Sequence, residues 1–350
     1  MTWRTLLLPL SVVYWLIAAV RNLLFEKNVL VQQKVGVPVV CVGNISAGGV
    51  GKTPLVEFLS RQFRSRGKKV AILSRGYGRR GSGYLVASNG KQRCAEIWDA
   101  GDEASELANA LDGVVVAVDE NRVRGANKLI EQFHPDVIVL DDGFQHRALE
   151  REYNIVVMTA KEVLGGELLL PAGNRREPLS ALRRAHCVVI TKSRDDSELQ
   201  RARLKIEARF KGGVYGMNMV LHSITKASSG ENTDLEQLSG RKALLFSGIG
   251  QPDHFQRTLL PIRLEVVRHI RFADHHWFSD ADIGRIQELF TETKSELMIT
   301  TRKDVQRLAS DRARTFLAEF PLYIANIRPQ FAEGETDFLN ELDSTVWSSA

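Results

Sequence analysis

Residues 37–63 read VPVVCVGNISAGGVGKTPLVEFLSRQF, and three physical patterns follow one another in them. The first six residues are a continuous apolar run, the signature of a strand buried on both faces of a parallel sheet. From Pro54 onward the period changes, and Leu55, Phe58, Leu59 and Phe63 fall on one face of a helix. Between strand and helix lies Ser46-Ala47-Gly48-Gly49-Val50-Gly51-Lys52-Thr53. Glycines at such a junction let backbone N–H groups wrap around phosphate oxygens, and the helix N-terminus adds a favourable dipole. Lys52 is placed to neutralise the β- and γ-phosphates of ATP, and Thr53 to offer a hydroxyl to Mg²⁺. The usual motif has glycine where this chain has Ser46. A glycine-rich turn with no nucleotide is the plainer alternative, and the strand before and helix after argue against it.

Working outward, apolar runs alternate with helical periodicity at 69–73 (KVAIL), 114–118, 136–140 (DVIVL), 154–158 and 187–190 (CVVI). Asn121 is suited to cap a helix running to Phe133. Strand–helix alternation predicts an α/β fold, a P-loop NTPase-like doubly wound parallel sheet. A polar break at 228–233 and a fresh strand at 243–246 predict a second, smaller α/β domain. The expected division is 1–25 as an N-terminal helix, 26–212 as the P-loop domain and 213–350 as the smaller domain.

Asp141 and Asp142 follow the strand DVIVL directly, where a carboxylate is needed to hold Mg²⁺ or its water. Adjacent side chains of an extended chain point to opposite sides, so one faces the metal while the other orders the loop. The residues alone do not say which. Asp102 precedes a helix, and there an N-cap role competes with a chemical one. His275 and His276 are adjacent, but no further Cys or His spacing supports zinc. Thr191-Lys192-Ser193-Arg194 stands where guanine-specific proteins carry Asn-Lys-x-Asp; the replacements favour ATP.

The 350 residues carry a formal charge of +5, with 44% hydrophobic and 25% charged side chains, which excludes disorder and leaves room for two domains. A mild basic excess suits an anionic partner without choosing one. Cys41, Cys94 and Cys187 are too scattered for a disulfide framework, which points to a reducing compartment. Residues 6–20, LLLPLSVVYWLIAAV, are uncharged and lie between Arg4 and Arg21. The run is shorter than the roughly 20 residues of a spanning helix. Ala18-Ala19-Val20-Arg21 makes a poor signal-peptide cleavage site. A helix packed inside the domain is the bland reading. The preferred one is an interfacial helix, with Trp3, Tyr14 and Trp15 at headgroup level and Arg21, Lys27 and Lys34 facing phosphates.

The ordered set of motifs resembles the tetraacyldisaccharide 4′-kinase family of Gram-negative bacteria. It comprises Val42-Gly43-Asn44-Ile45-Ser46 running into the P-loop, Ser74-Arg75-Gly76-Tyr77-Gly78, Gly101-Asp102-Glu103 and Asp141-Asp142-Gly143-Phe144-Gln145-His146. Pro171-Ala172-Gly173, Arg176-Glu177-Pro178, Thr191-Lys192, Phe272-Ala273-Asp274-His275 and Lys303-Asp304 complete it. The resemblance implies transfer of the ATP γ-phosphate to the 4′-hydroxyl of a tetraacylated glucosamine disaccharide 1-phosphate, giving lipid IVA. It implies work at the cytoplasmic face of the bacterial inner membrane, with a lipid substrate and a membrane surface as partners. Nucleic acid and an obligate protein partner are not expected. It gives Asp102 the role of general base, assisted by His275, and makes Arg75, Arg79, Arg80, Arg175 and Arg176 candidates for the lipid's phosphate and headgroup contacts. Arg75 and Arg176 lead that group.

The rival readings are a membrane-recruited ATPase switch with no lipid acceptor and a soluble small-molecule kinase. The 6–20 segment counts against the second. The two readings of Asp102 separate by mutation. Asn caps a helix about as well as Asp. A capping Asp102 therefore predicts near-normal rates for Asp102→Asn, whereas a general base predicts a normally folded variant slowed by roughly 10²–10⁴-fold. Turnover near the wild-type rate, with stability measured alongside, removes the base assignment.

Overall fold

The computed structural model describes residues 6–166, 168–274 and 276–348. They divide into two compact units, one of Met1–Asn218 with Phe331–Ala350 and one of Met219–Gln330.

The first unit opens with helix α1 (Leu8–Glu26) and strand β1 (Val39–Gly43), followed by α2 (Lys52–Ser65), β2 (Val70–Ser74) and β3 (Leu85–Asn89). Helices α3 (Ile97–Ala100) and α4 (Asp102–Ala110), then β4 (Val115–Val118) and α5 (Arg122–Phe133), lead to β5 (Val137–Asp141). Next come β6 (Tyr153–Thr159), α6 (Ala160–Gly165), β7 (Cys187–Thr191), α7 (Asp196–Glu207) and the long β8 (Gly213–Lys226). The strand order is β8-β7-β6-β1-β5-β2-β4-β3. All neighbours are parallel except β3, which runs antiparallel to β4. Strands β1, β2, β5, β6 and β7 are buried at every position, as their unbroken apolar sequences require.

The order places β1 between β5 and β6, so the chain leaves β1 at a point where neighbouring connections diverge. In open parallel sheets the crevice beyond the carboxyl ends of the strands at such a point receives ligands. The P-loop, Asp141 and Thr191 all leave from that end. Helix α5 begins where expected: the Asn121 side chain accepts from the Arg124 N–H at 3.1 Å.

The second unit carries β9 (Asn232–Thr233), β10 (Lys242–Ser247), α8 (Pro252–Thr258), β11 (Glu265–Arg271), α9 (Asp280–Glu292), β12 (Leu297–Thr301), α10 (Arg302–Gln306), α11 (Asp311–Glu319) and most of β13 (Leu322–Phe331). Its strands run in the order β11-β10-β12-β13-β8. Asp304 is fully buried here and accepts from the Gly248 N–H at 2.9 Å and Thr301 Oγ1 at 2.6 Å. These bonds pin the turn after β10.

Two boundaries differ from the sequence expectation. The chain passes from the first unit to the second at Asn218/Met219, inside β8, rather than at 212/213. The C-terminal helix α12 (Glu335–Trp347) belongs to the first unit, not the second. Phe338 is fully buried and stacks on Phe331 at 4.9 Å, and Glu341 accepts from both Tyr153 and Tyr215 at 2.7 and 2.8 Å. An amphipathic helix at the end of a chain carries no mark of which unit it will cover.

Helix α1 is built inside out. Its buried residue is Ser11, whereas Leu10, Val13, Ile17 and Val20 are exposed. Ser11 Oγ donates to the Leu169 carbonyl at 3.1 Å and accepts from the Ala172 N–H at 3.0 Å. Near the other end Asn22 reaches Glu177 and receives Arg147 on its carbonyl at 3.0 Å. The helix is thus tied to the first unit at both ends by polar bonds, with its apolar side outward. The bland reading of a buried helix fails, because a core helix would bury its apolar side. Trp3 and Arg4 lie outside the described residues.

Candidate active site

Gly51 sits at φ +96 and caps α2 in the left-handed region, and Gly48 turns at φ +126. A side chain at either φ is strained, and at Gly48 a Cβ would meet no neighbouring atom, so backbone conformation and access rather than packing call for glycine. Ser46, the departure from the usual motif, is fully buried and donates to Glu162 Oε1 at 2.9 Å. The Ala47 N–H donates to the Asn174 carbonyl at 2.7 Å. From the other side Thr191 Oγ1 donates to the Val50 carbonyl at 2.6 Å, and Lys192 Nζ donates to that of Gly49. Thr191 and Lys192 therefore shape the loop.

Lys52 and Thr53 are both buried at the start of α2. Lys52 Nζ lies 3.4 Å from Asp142 Oδ1, and Arg176 reaches Asp142 Oδ2 at 3.1 Å. Asp142 itself adopts φ +50, leaving the end of β5 in a sharp turn. Burial opposes its charge, but Lys52 and Arg176 outweigh that and hold the carboxyl below its usual range. Asp141 has the opposite fate. It is fully buried, and neither oxygen has a hydrogen-bond partner. Burial first, then the neighbouring Glu103 charge, push its carboxyl from 3.8 to about 7. The two aspartates left equivalent by the sequence are thus separated: Asp142 is paired with cations and Asp141 is an orphaned buried carboxylate.

Asp102 is not the N-cap. Gly101 takes that position at φ +86, and Asp102 and Glu103 form the first turn of α4. A Cβ on Gly101 would come within 2.9 Å of the Tyr77 carbonyl, so only glycine lets the 76–77 turn pack against the start of this helix. That approach sets the Arg75 loop beside Asp102. His275 lies outside the described residues. Its neighbour His276 is committed within the second unit, with Nε2 3.1 Å from Asp282 and the ring stacked on Phe272 at 4.7 Å.

Several participants carried no recognised role in the sequence. Glu103 faces Asp141, and Arg122 is buried near Arg75 and both aspartates; burial, then the Arg75 charge, lower its pKa. His146 is held down to about 4 by burial, then by Arg122, Arg151, Arg75 and Arg21, and is neutral at pH 7. Glu177 is buried among donors from two distant segments, Asn22 and Gln145, and from nearby Arg184. Each of these residues except Asn22, Arg122, Arg151 and Arg184 sits inside a quoted stretch, so proximity was the missing signal, not residue type. Among the arginines, Arg79 is held by Glu120 at 2.8 Å, Arg80 lies over Trp98 at 5.6 Å, and Arg175 donates to the Glu162 carbonyl at 2.9 Å. Arg75 is exposed at the rim.

A family model described as tetraacyldisaccharide-1-P 4′-kinase matches residues 3–346. A tetraacyldisaccharide 4′-kinase of Chlorobium limicola is 35% identical over 98% of both chains. One from an Anaeromyxobacter species is 36% identical over 94% of this chain and 88% of its own. The crystal structure of the "apo" form of LpxK from Aquifex aeolicus in complex with ATP superposes with a TM-score of 0.80, at 32% identity, covering 99% of this chain and all of that one.

The split between the aspartates has a measurable consequence. Between pH about 4 and about 7 the unfolded chain has released this proton while folded Asp141 keeps it, so stability falls as pH rises through that window. In metal-free, nucleotide-free protein, Asp141→Asn should therefore gain stability over wild type at pH 8 by on the order of 2–4 kcal/mol, and far less at pH 4. Urea unfolding at the two pH values reads the difference; an equal offset at both contradicts the assignment.

Proposed function

The chain belongs to the tetraacyldisaccharide-1-P 4′-kinase family, and from that premise we propose how its residues divide the work. The reaction moves the γ-phosphate of ATP to the 4′-hydroxyl of a tetraacylated glucosamine disaccharide 1-phosphate, forming lipid IVA in lipid A biosynthesis. Phosphoryl transfer asks a protein for positioning and charge neutralisation more than for covalent chemistry. The observation that carries the reading is the meeting of Lys52, Asp142 and Arg176 beside the orphaned Asp141, below a P-loop with an open backbone.

In this reading the residues of the loop 46–53 cradle the phosphates, and Lys52 exchanges Asp142 for the β/γ-phosphates when ATP binds. Thr53, Asp141 and Asp142 are the candidates to hold Mg²⁺, and Asp141 fits best, because a buried carboxylate with both oxygens unpartnered is stabilised by a cation. Among the described residues no group of three or more His, Cys, Asp or Glu is placed to hold a metal ion, so water and the substrate phosphates would have to complete the coordination of Mg²⁺. When bound, Mg²⁺ would neutralise charge on the transferring phosphoryl group. Asp102 takes the proton of the acceptor hydroxyl, with His275 assisting. The first-turn position of Asp102 supports this by leaving capping to Gly101. Arg75 and Arg176 meet substrate phosphate, since Arg binds it in bidentate fashion.

The lipid arrives from a membrane surface. Helix α1 is long and apolar enough to cross a bilayer by composition. Its polar ties to the first unit at both ends favour a helix lying in the interface instead. A cavity of about 400 Å³ lined by Leu8, Val12, Trp15, Leu168, Leu169 and Leu179 opens beside it and suits an acyl chain. Because ATP is cytosolic, the surface is the cytoplasmic face of the inner membrane. Neither nucleic acid nor an obligate protein partner enters this reading.

Incubation with labelled ATP and a panel of lipid acceptors, with and without Mg²⁺, tests the assignment. Label should pass to the tetraacyldisaccharide 1-phosphate only with Mg²⁺, and Lys52→Ala and Thr53→Ala should each lose orders of magnitude in kcat. ADP release that is indifferent to acceptor would mark an ATPase switch instead. For the membrane, Val13→Asp, Ile17→Asp and Val20→Asp combined should move the protein from the vesicle pellet to the supernatant while ATP binding persists. Undiminished pelleting would rule out α1 as the contact.

A further inference from the structure

We propose that the N-terminal helix is a working part of the catalytic centre, with Asn22 as a positioning residue that acts through Glu177. The proposal rests on the assignment of Lys52, Asp142 and Arg176 to phosphate handling.

Asn22 Nδ2 donates to Glu177 Oε2 at 3.2 Å, and Glu177 is 1% exposed. Arg184 donates to the same oxygen. Gln145 Nε2 donates to Glu177 Oε1 at 3.1 Å and to the Asn44 carbonyl at 2.7 Å, at the entrance to the P-loop. The main chain closes the same knot, because the N–H groups of Arg176 and Glu177 both donate to the Ile45 carbonyl, at 2.7 and 3.1 Å. Arg176 then reaches Asp142 at 3.1 Å, and Asp142 reaches Lys52 at 3.4 Å. A path of polar contacts therefore runs from the membrane-facing helix to the phosphate-binding lysine.

A buried carboxylate takes its orientation from its donors, and losing one leaves the rest to reset it. Without Asn22, Glu177 Oε2 is left to Arg184 alone, while Oε1 still accepts from Gln145. The carboxylate rotates toward Arg184, and Gln145 and the turn that aims Arg176, which share it, are re-aimed with it. The opposite face of α1 is apolar and exposed, so whatever surface holds that face also sets the position of Asn22. Seating the helix on a lipid surface and aligning Arg176 with Asp142 become one event. An enzyme with α1 displaced still binds ATP and transfers phosphate slowly.

The rival reading makes Asn22 a docking residue only. Its loss would then lower stability or vesicle binding and leave the folded enzyme's kcat intact. The test uses the full chain with Mg-ATP and tetraacyldisaccharide 1-phosphate in mixed micelles, following kcat, both KM values and Tm for Asn22→Ala, Asn22→Asp, Glu177→Gln and the double variant Asn22→Ala with Glu177→Gln. Asn22→Ala should lower kcat roughly 10-fold or more, with both KM values little changed. Asn22→Asp, which sets a second carboxylate against Glu177, should be slower still. The double variant should be no worse than Glu177→Gln alone, because the two act as one unit. A wild-type kcat for Asn22→Ala, a loss confined to KM or Tm, or additive losses in the double variant overturns the proposal. If Asn22→Asp does not fold, Asn22→Ala and the double variant still decide. Lys52→Ala in the same assay keeps the failures apart: an active Lys52→Ala sinks the phosphate assignment, whereas an inactive one beside a normal Asn22→Ala sinks only the role of the helix.

Discussion

The contact between Lys52 and Asp142, at 3.4 Å, ties the P-loop after β1 to the turn after the neighbouring strand β5. Nearly everything near the site depends on it. Both groups are largely withdrawn from water, and a buried charge without a partner is far costlier than a buried pair. The pairing therefore constrains the backbone on each side: Gly51 turns left-handed so that Lys52 can open α2, and Asp142 accepts a positive φ so that its carboxylate turns back. Arg176 supplies a second cation, which draws the 175–178 turn over the P-loop.

The same constraint separates two adjacent aspartates. Asp142 is surrounded by cations and stays ionised. Asp141, one residue earlier and still within the strand, points into a region where Glu103 adds negative charge and no donor reaches it. Lys52, Arg75, Arg122 and Arg176 outnumber Asp141, Asp142 and Glu103, and the cationic surplus grows when Asp141 holds its proton. That surplus suits an incoming polyphosphate, and a divalent cation would restore the charge of Asp141 at the moment it is useful.

Helix α1 reverses the usual economy of a surface helix. Its inner side is polar and bonded to the loop 168–178 through Ser11 and to Glu177 through Asn22. Its outer side, with Leu10, Val13, Ile17 and Val20, is apolar and exposed. Hydrocarbon is as acceptable to those side chains as a protein core, which is what the proposed interfacial position would use.

Much of this was legible in the linear chain. Continuous apolar runs specified buried parallel strands, because residues exposed on neither face have no reason to alternate. The glycine pattern, Lys52 and Thr53 marked the turn between β1 and α2 that the proposed phosphate cradle uses, because a short local segment makes the whole device. The apolar segment 6–20 announced a helix in its composition, and the structure leaves its apolar side exposed. What the sequence left open was everything that depends on which distant segments meet. The different environments of Asp141 and Asp142 come from Glu103 and Arg176, which lie 38 residues before Asp141 and 34 after Asp142. Capping at α4 fell to Gly101 because the 76–77 turn packs against it. The C-terminal helix joined the first unit through Phe338 and Glu341. Asn22 met Glu177 across 155 positions. Periodicity and motif are properties of neighbours along the chain. Burial, ion pairing and the pKa shifts they produce are set by neighbours in space, and those exist only once the sheet has brought its carboxyl ends together.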